Sequence, residues 1–291
     1  MLKGSTELYT GGCSFLVRAY DFDTPDTRRK NPCSYKFKPS EAQFFSFPAF
    51  LSAKLNLKLI NDAAPGHSNT YIIRKLYEYI KNKPKLTRSV AVIGLTELAR
   101  QEIPIQGTDR YHHITPSDYH TYTPTYKNNI EKYAPVPNFV RALDEYYKYI
   151  YNDRTAIPSL IQQLNMLAAY CKINSTRLYV FCSFAMMKKS ELLGRYYDEL
   201  SSTKNNFMFF NFGQNNNQLC SWVDFILSYA PDHIEGHPWV YDNNLLANIM
   251  ASFIKEGKFK KMLIKPTEYE EGYNHLDKKP KFPKPEPINI I

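Results

Sequence analysis

The feature that most constrains the fold is an unbroken apolar run, SVAVIGL, from Ser89 to Leu95. A strand that is apolar in every position is typical of a parallel sheet, where both faces of the strand are buried. Such runs alternate along the chain with segments of helical periodicity. Alternating strands and helices predict an α/β fold, a three-layer α/β/α sandwich with a mostly parallel central sheet.

The other elements are predicted from the same two periodicities. Further strands are expected at 7–14, 57–63 and 177–184, and helices at 45–55, 69–81, 139–150, 160–171, 189–200 and 242–256. Asp242 is the predicted N-cap of the last helix, and Ser68 or Asn69 caps the helix at 69–81. Two segments, 207–212 and 219–227, show no periodicity that separates helix from strand.

Two segments depart from the alternating pattern. Residues 101–136 contain several prolines and no regular period, which predicts an irregular insertion or a lid. Residues 258–291 are rich in lysine and proline and lack the apolar residues of a core. We therefore expect one domain, 1–257, followed by a basic tail that is disordered or extended along a neighbour.

Composition limits the classes of function. The net charge is +9, but many of the lysines lie towards the C-terminal end, so a solubilising tail is favoured over a nucleic-acid partner. No apolar run approaches the roughly 18 residues of a membrane helix. The N-terminus lacks the apolar core of a signal peptide, so we expect no membrane partner and no export by that route. The five cysteines are widely spaced, which favours reduced, mostly buried thiols.

Ser14 is the strongest candidate for a catalytic residue. It follows a predicted strand and two glycines in the stretch LYTGGCSF at 8–15. Ligands of open α/β sheets collect at the carboxyl ends of the strands, where this serine is expected. A nucleophilic serine needs a base, and His237 in DHIEGHP at 232–238 is the candidate. Glu235 or Asp232 would hold the imidazole in its productive tautomer.

Other motifs either join this site or exclude alternatives. NDAAPGHSN at 61–69 and GLTE at 94–97 also follow predicted strands, so they are expected at the same sheet edge as Ser14. His112, His113, His120 and Asp118 do not have the spacing of a metal motif, and no metal or other cofactor is predicted. G-x-S-x-G is absent around Ser14, and no G-x-G-x-x-G or P-loop follows the first strand.

In this order, the motifs GCSF, A-x-P-G-x-S-N and G-H-P resemble the SGNH (GDSL-type) hydrolase superfamily, and most of all the SGNH-like proteins of tailed bacteriophages. The resemblance covers roughly residues 7–256 and implies a flavodoxin-like sandwich. It assigns Ser14 as nucleophile and as one oxyanion donor, through its own N–H. Gly66 would be a second donor. Arg74 and Arg100 would have supporting roles.

The sequence also departs from the family pattern. Cys13 stands where the family has the aspartate of G-D-S-L, and Thr96 stands where it has an asparagine that donates to the oxyanion. Asn69 is the residue that could replace this donor. His237 matches the general base, and the acid expected two or three residues before it is Glu235, with Asp232 as the alternative.

The resemblance implies a serine esterase or deacylase acting on an acylated small molecule or glycan, such as an O-acetylated carbohydrate. The alternative is a bacteriophage virion structural or adaptor protein that retains a catalytically weakened SGNH scaffold. Its tail, 258–291, would then dock onto a capsid or tail protein. Either function implies a location in the host cytoplasm or the virion.

Overall fold

The computed structural model describes residues 4–17, 39–104, 111–114, 145–183, 190–212, 219–229 and 238–257. Five strands form the central sheet in the order β2-β1-β3-β6-β7, and every neighbouring pair is parallel. They are β1 (Ser5–Gly11), β2 (Lys58–Asn61), β3 (Arg88–Leu95), β6 (Thr176–Cys182) and β7 (Met208–Phe210). This order is that of flavodoxin-like doubly wound sheets, so the predicted fold class is confirmed.

Six helices are found in the described part of the chain. They are α1 (Phe47–Leu55), α2 (Asn69–Asn82), α3 (Asp153–Ile173), α4 (Ser190–Ser201), α5 (Trp222–Tyr229) and α6 (Val240–Glu256). Shorter turns comprise two 3₁₀ helices, Ser14–Leu16 and Pro39–Phe45, and one π-helical turn, Tyr146–Ile150.

Two apolar cores lie on opposite faces of the sheet, because successive side chains of a strand point to opposite sides. In β3, Val90 and Val92 belong to a core that includes residues of α1, α5 and α6. Ala91 and Ile93 belong to a second core that includes residues of α2, α3 and α4. The helices therefore cover both faces, which completes the three layers.

Several element boundaries differ from the prediction. The first strand ends at Gly11 rather than residue 14, and Ser14 instead opens a 3₁₀ turn. Within the segment predicted to be irregular, β4 (Gln101–Pro104) and β5 (Tyr111–Ile114) form an antiparallel hairpin. The two unassigned segments supply β7 and α5. Of the helix expected at 139–150, the described part is a π-helical turn.

The N-cap residues of α2 and α6 can be compared with the residues that the sequence predicted for these positions. Ser68 caps α2, because its hydroxyl accepts a hydrogen bond from the Tyr71 N–H at 3.2 Å. Asp242 as N-cap of α6 is wrong. The N-cap is Trp239, and Asp242 lies three residues later, where its carboxylate accepts from the Trp239 N–H at 2.7 Å. A carboxylate at this position forms the returning half of a capping box.

The described cysteines are free thiols, and Cys13, Cys171 and Cys182 are buried. None of the helices in the described ranges combines the length and the apolarity needed to span a bilayer. Two predicted segments lie largely or wholly outside the described residues. They are most of 101–136, which includes Asp118 and His120, and the tail 258–291.

Candidate functional site

Ser14 is held in a tight turn at the carboxyl edge of the sheet. The Leu16 N–H donates to the Cys13 carbonyl at 3.1 Å, and the Val17 N–H donates to the Ser14 carbonyl at 3.2 Å. Cys13, Phe15 and Leu16 are buried, whereas Ser14 is partly exposed. The buried neighbours fix the backbone of the turn, and between Cys13 and Leu16 the partly exposed residue is Ser14.

Asn61, at the end of β2, ties this turn to the neighbouring strand. Its Nδ2 donates to the Leu16 carbonyl at 3.2 Å. Its Oδ1 accepts from the Thr10 hydroxyl at 2.9 Å and from the Ala63 N–H at 3.1 Å. One amide therefore joins β1, β2 and the Ser14 turn. The sequence pattern predicts no role for Asn61, although Thr10 and Asn61 are polar residues at paired positions of two strand ends.

Replacing Asn61 with alanine is expected to destabilise the protein by about 2 kcal/mol, because the buried Thr10 hydroxyl and the Leu16 carbonyl both lose a partner. Urea unfolding measures the change. Asn248→Ala, at an exposed position of α6, is the matched control and should change the free energy of unfolding by less than about 0.5 kcal/mol. Equal effects of the two substitutions would contradict the role of Asn61.

Gly66 lies in the loop between β2 and α2, which a hydrogen bond holds against the Ser14 loop. The Ala64 N–H donates to the Gly12 carbonyl at 3.0 Å. Gly66 has a φ of +75°, a left-handed conformation that side chains other than glycine rarely adopt. Glycine is therefore required at this turn by the backbone conformation, whether or not its N–H also donates to a substrate.

His67 follows Gly66, and its imidazole stacks on the ring of Tyr71 with 3.7 Å between the centroids. Burial lowers the pKa of His67 below its usual value, and a hydrogen bond with the Ala64 backbone only partly offsets this effect. The ring is therefore neutral at neutral pH. The sequence pattern predicts no role for this histidine.

Asn69 and Thr96 join α2 to the loop after β3. The Asn69 Oδ1 accepts from the Thr96 N–H at 2.9 Å, and its Nδ2 donates to the Thr96 carbonyl at 3.1 Å. Both residues are buried, and Thr96 is fully so. The Asn69 amide thus holds the Thr96 backbone, and one Nδ2 hydrogen is left for a ligand. The oxyanion roles of Asn69 and Thr96 stay predictions.

Cys13 stands where the G-D-S-L pattern has an aspartate, and its buried surroundings make its thiol unreactive. Burial raises the pKa of Cys13, and the positive charge of Arg100 and a contact with Thr96 only partly offset this effect. A protonated thiol is a weak nucleophile. Of these two adjacent residues, Ser14 is partly exposed and Cys13 is fully buried.

The two arginines with expected supporting roles form ion pairs. Arg74 of α2 binds Glu78 on the same helix and Glu102 of β4, whose side chain is almost completely buried. Arg100 binds Glu97 at 3.1 Å. Arg74 therefore connects the hairpin to α2, and Arg100 stiffens the loop after β3.

The structure brings Ser14, Gly66, Asn69 and Thr96 to one edge of the sheet, as the sequence predicted for three strand ends. His237, Glu235 and Asp232 lie outside the described residues, so their pairing with Ser14 stays a prediction. The next described residues, Pro238 and Trp239, are buried at the start of α6. In the part of the chain that is described, no cluster of histidine, cysteine and acidic side chains suits a metal ion.

Comparison with solved structures finds similar chains, of which two, at 10% and 13% sequence identity, are described below. No protein-family model matches the chain, and no curated protein matches it either. One similar structure is a protein described as belonging to the G-D-S-L lipolytic family of Desulfitobacterium hafniense DCB-2, with a TM-score of 0.41 and 10% identity over 85% of this chain and 98% of that chain. Another is a family two carbohydrate esterase from Clostridium thermocellum in complex with cellohexaose, with a TM-score of 0.42 and 13% identity over 87% of this chain and 64% of that chain.

Proposed function

We propose that the protein is a serine esterase or deacylase of the SGNH type, which hydrolyses an ester such as an O-acetylated carbohydrate. The observation that supports this most strongly is the position of Ser14. It is partly exposed in a turn whose neighbours are buried, at the carboxyl edge of a parallel sheet. Hydrogen bonds tie this turn to the loops that carry Gly66 and Asn61.

In the proposed reaction, the Ser14 Oγ attacks the ester carbonyl carbon while His237 accepts the hydroxyl proton. Collapse of the tetrahedral intermediate breaks the bond to the alcohol oxygen, which takes the proton from His237, and the acyl group stays on Ser14. Water then attacks the acyl-enzyme with His237 again as base. This releases the carboxylic acid and restores Ser14. Glu235 or Asp232 orients the imidazole throughout.

The oxyanion is stabilised in this proposal by the N–H groups of Ser14 and Gly66 and by the remaining Nδ2 hydrogen of Asn69. Donors of this kind lower the barrier most when they are fixed before the reaction begins. Two observations support such preorganisation, namely the bidentate pairing of Asn69 with Thr96 and the bond from Ala64 to Gly12.

A fluorophosphonate probe tests the proposed nucleophile directly, because the activated serine displaces fluoride and becomes covalently phosphonylated. We expect one adduct per chain, and peptide mass spectrometry should locate it on Ser14. Ser183→Ala, which removes a buried hydroxyl near the same edge, is the control and should still be labelled. A folded chain without an adduct, or with the adduct on another residue, would contradict the proposal.

A second candidate function is that of a bacteriophage virion structural or adaptor protein on a weakened SGNH scaffold, with 258–291 docked on a capsid or tail protein. The observation that favours it is the complete burial of Thr96 at the position of the family's asparagine donor. A chain that folds but neither reacts with the probe nor turns over p-nitrophenyl acetate would favour this function over hydrolysis.

A further inference from the structure

A cavity of about 400 Å³ lies beside the candidate site, between the N-terminal ends of α2 and α3 and the segment after β3. Ligand sites in proteins range from roughly 300 to 1,000 Å³, so the cavity suits one small ligand rather than a long chain. Asn69 is the residue of its lining that the proposed mechanism uses.

The lining of the cavity is dominated by uncharged hydrogen-bonding side chains from three elements. They are Asn69 and Thr70 of α2, Gln101 of β4, and Thr155, Ser159 and Gln163 of α3. Leu98 and Leu160 supply an apolar floor, and both are buried. This mixture of many neutral donors and acceptors with a small apolar surface matches a sugar ring, which has polar edges and apolar faces.

The same lining fits other ligand classes poorly. A fatty acyl chain would offer these side chains no hydrogen bonds while displacing water from them, which is unfavourable for each group that is desolvated. This holds although the Gln163 Nε2 already donates to the Ser159 Oγ at 3.3 Å and the Thr155 hydroxyl to the Asn152 carbonyl at 2.9 Å. Arg100 is the charged residue in the lining of this cavity, and Glu97 pairs with it at 3.1 Å, so its charge is largely balanced. An anionic ligand would have to compete with that carboxylate.

The cavity and the Ser14 loop are connected by direct contacts. Asn69 lines the cavity and also bonds to the backbone of Thr96, which contacts Cys13 next to Ser14. A ligand in the cavity therefore lies beside Asn69, the proposed oxyanion residue that belongs to its lining. This is the place for the alcohol part of an ester whose acyl group is on Ser14.

One wall of the cavity is the π-helical turn, through Tyr146 and Ile150, and Tyr151 follows it. The Tyr147 hydroxyl anchors the turn by donating to the Ala99 carbonyl at 2.7 Å. π-Helical turns are rare and are often found at functional sites. Tyrosine rings at such a wall offer flat surfaces that pack against a sugar and a hydroxyl that bonds to it.

We propose that this cavity binds a neutral sugar as the alcohol part of the substrate, and that Gln101, Ser159 and Gln163 determine this specificity. The link to catalysis rests on the proposed esterase function, whereas the binding itself does not. The two can therefore fail separately.

Saturation-transfer NMR on the full-length Ser14→Ala chain tests the binding without turnover. The probes are the methyl glycosides of glucose, galactose, mannose and N-acetylglucosamine, with methyl glucuronide and hexanol as anionic and apolar comparators. We expect at least one neutral glycoside to bind in preference to both comparators. Absence of binding by every neutral glycoside at millimolar concentration, or preference for either comparator, would overturn the proposal.

Two substitutions in this background locate the ligand. Ser159→Phe should weaken glycoside binding by about tenfold or more, because the ring fills the cavity from an exposed position of α3. Gln162→Phe places the same ring on the same helix outside the cavity and should bind as the parent does. Gln163→Ala, which removes a lining amide without adding volume, should weaken binding severalfold. Binding that all three variants retain would place the sugar elsewhere and overturn the proposal.

Failure of the esterase function has a different signature. In that case the fluorophosphonate leaves the wild-type chain unlabelled while the glycoside still binds the Ser14→Ala chain. If the cavity proposal alone is wrong, Ser14 is labelled and no glycoside binds.

Discussion

Replacing Ser14 with alanine is expected to lower kcat for p-nitrophenyl acetate by on the order of 10³-fold or more, to the level that binding and oxyanion stabilisation alone support. The physical reason is that no acyl-enzyme can form without the Oγ. Ser14 is partly exposed at the surface of its turn, so loss of one hydroxyl should leave the fold intact. Initial rates and a thermal unfolding curve measured on the same preparation separate loss of chemistry from loss of structure.

The matched control is Ser5→Ala, the same substitution at the opposite end of β1. It should keep the wild-type rate. His237→Ala should lose activity to a similar extent, because removal of either member of a nucleophile–base pair disables the same step. A Ser14→Ala chain that turns over ester as fast as wild type would exclude Ser14 as the nucleophile.

The second large effect is expected from Gly94→Ala in β3. A Cβ at Gly94 would lie 2.1 Å from the Ser183 Oγ and 3.0 Å from both the Leu16 Cδ1 and the Phe181 Cζ. The distance of 2.1 Å is far below van der Waals contact, the two distances of 3.0 Å are tight, and all three neighbours are buried. Overpacking of a core typically costs about 1–3 kcal/mol, and we expect about 3 kcal/mol here, because β3 is the central strand. Urea unfolding measures the loss.

A double variant tests whether the 2.1 Å contact with the Ser183 Oγ causes the loss of stability. The Ser183 hydroxyl has no hydrogen-bond partner among the described residues, so Ser183→Ala alone should change stability little. Combined with Gly94→Ala, it should recover more than half of the lost free energy, since the closest atom is gone. Strict additivity of the two substitutions would contradict this explanation. Residual destabilisation is expected from Leu16 and Phe181.

The sequence allowed prediction of the sheet because burial on both faces leaves a simple pattern. The SVAVIGL run is β3, and its alternate residues belong to the two cores. The first strand was predicted too long, at 7–14, because Cys13 is as buried as the strand residues although it belongs to the turn that follows. An apolar pattern reports burial, and it does not distinguish a strand from the buried turn that follows it.

Residues of the site could be predicted only where a side chain or glycine of suitable chemistry directly follows a predicted strand. Ser14, Gly66 and Thr96 follow strands, so a parallel sheet alone places them at one edge. The roles of Asn61 and of the Asn69–Thr96 pair depend on amides that bind backbone groups from distant parts of the chain. Such bonds leave no periodic signal, because backbone donors and acceptors are the same at every residue. The β4–β5 hairpin was not predicted, because its short strands and its proline resemble the sequence of a loop.

The strand order has a consequence for how the molecule reaches its working state. The strand that precedes Ser14, β1, comes before the other four strands of the sheet in the chain, yet it lies between β2 and β3, and Gly11 pairs with Ile93. Parallel pairing of this kind requires long stretches of chain to be closed into loops before the stabilising contacts between strands can form, which makes folding slow. The proposed site therefore cannot form before the central sheet is assembled. A nascent or truncated chain that ends before β3 would contain the proposed nucleophile, Ser14, but not the sheet edge that positions it.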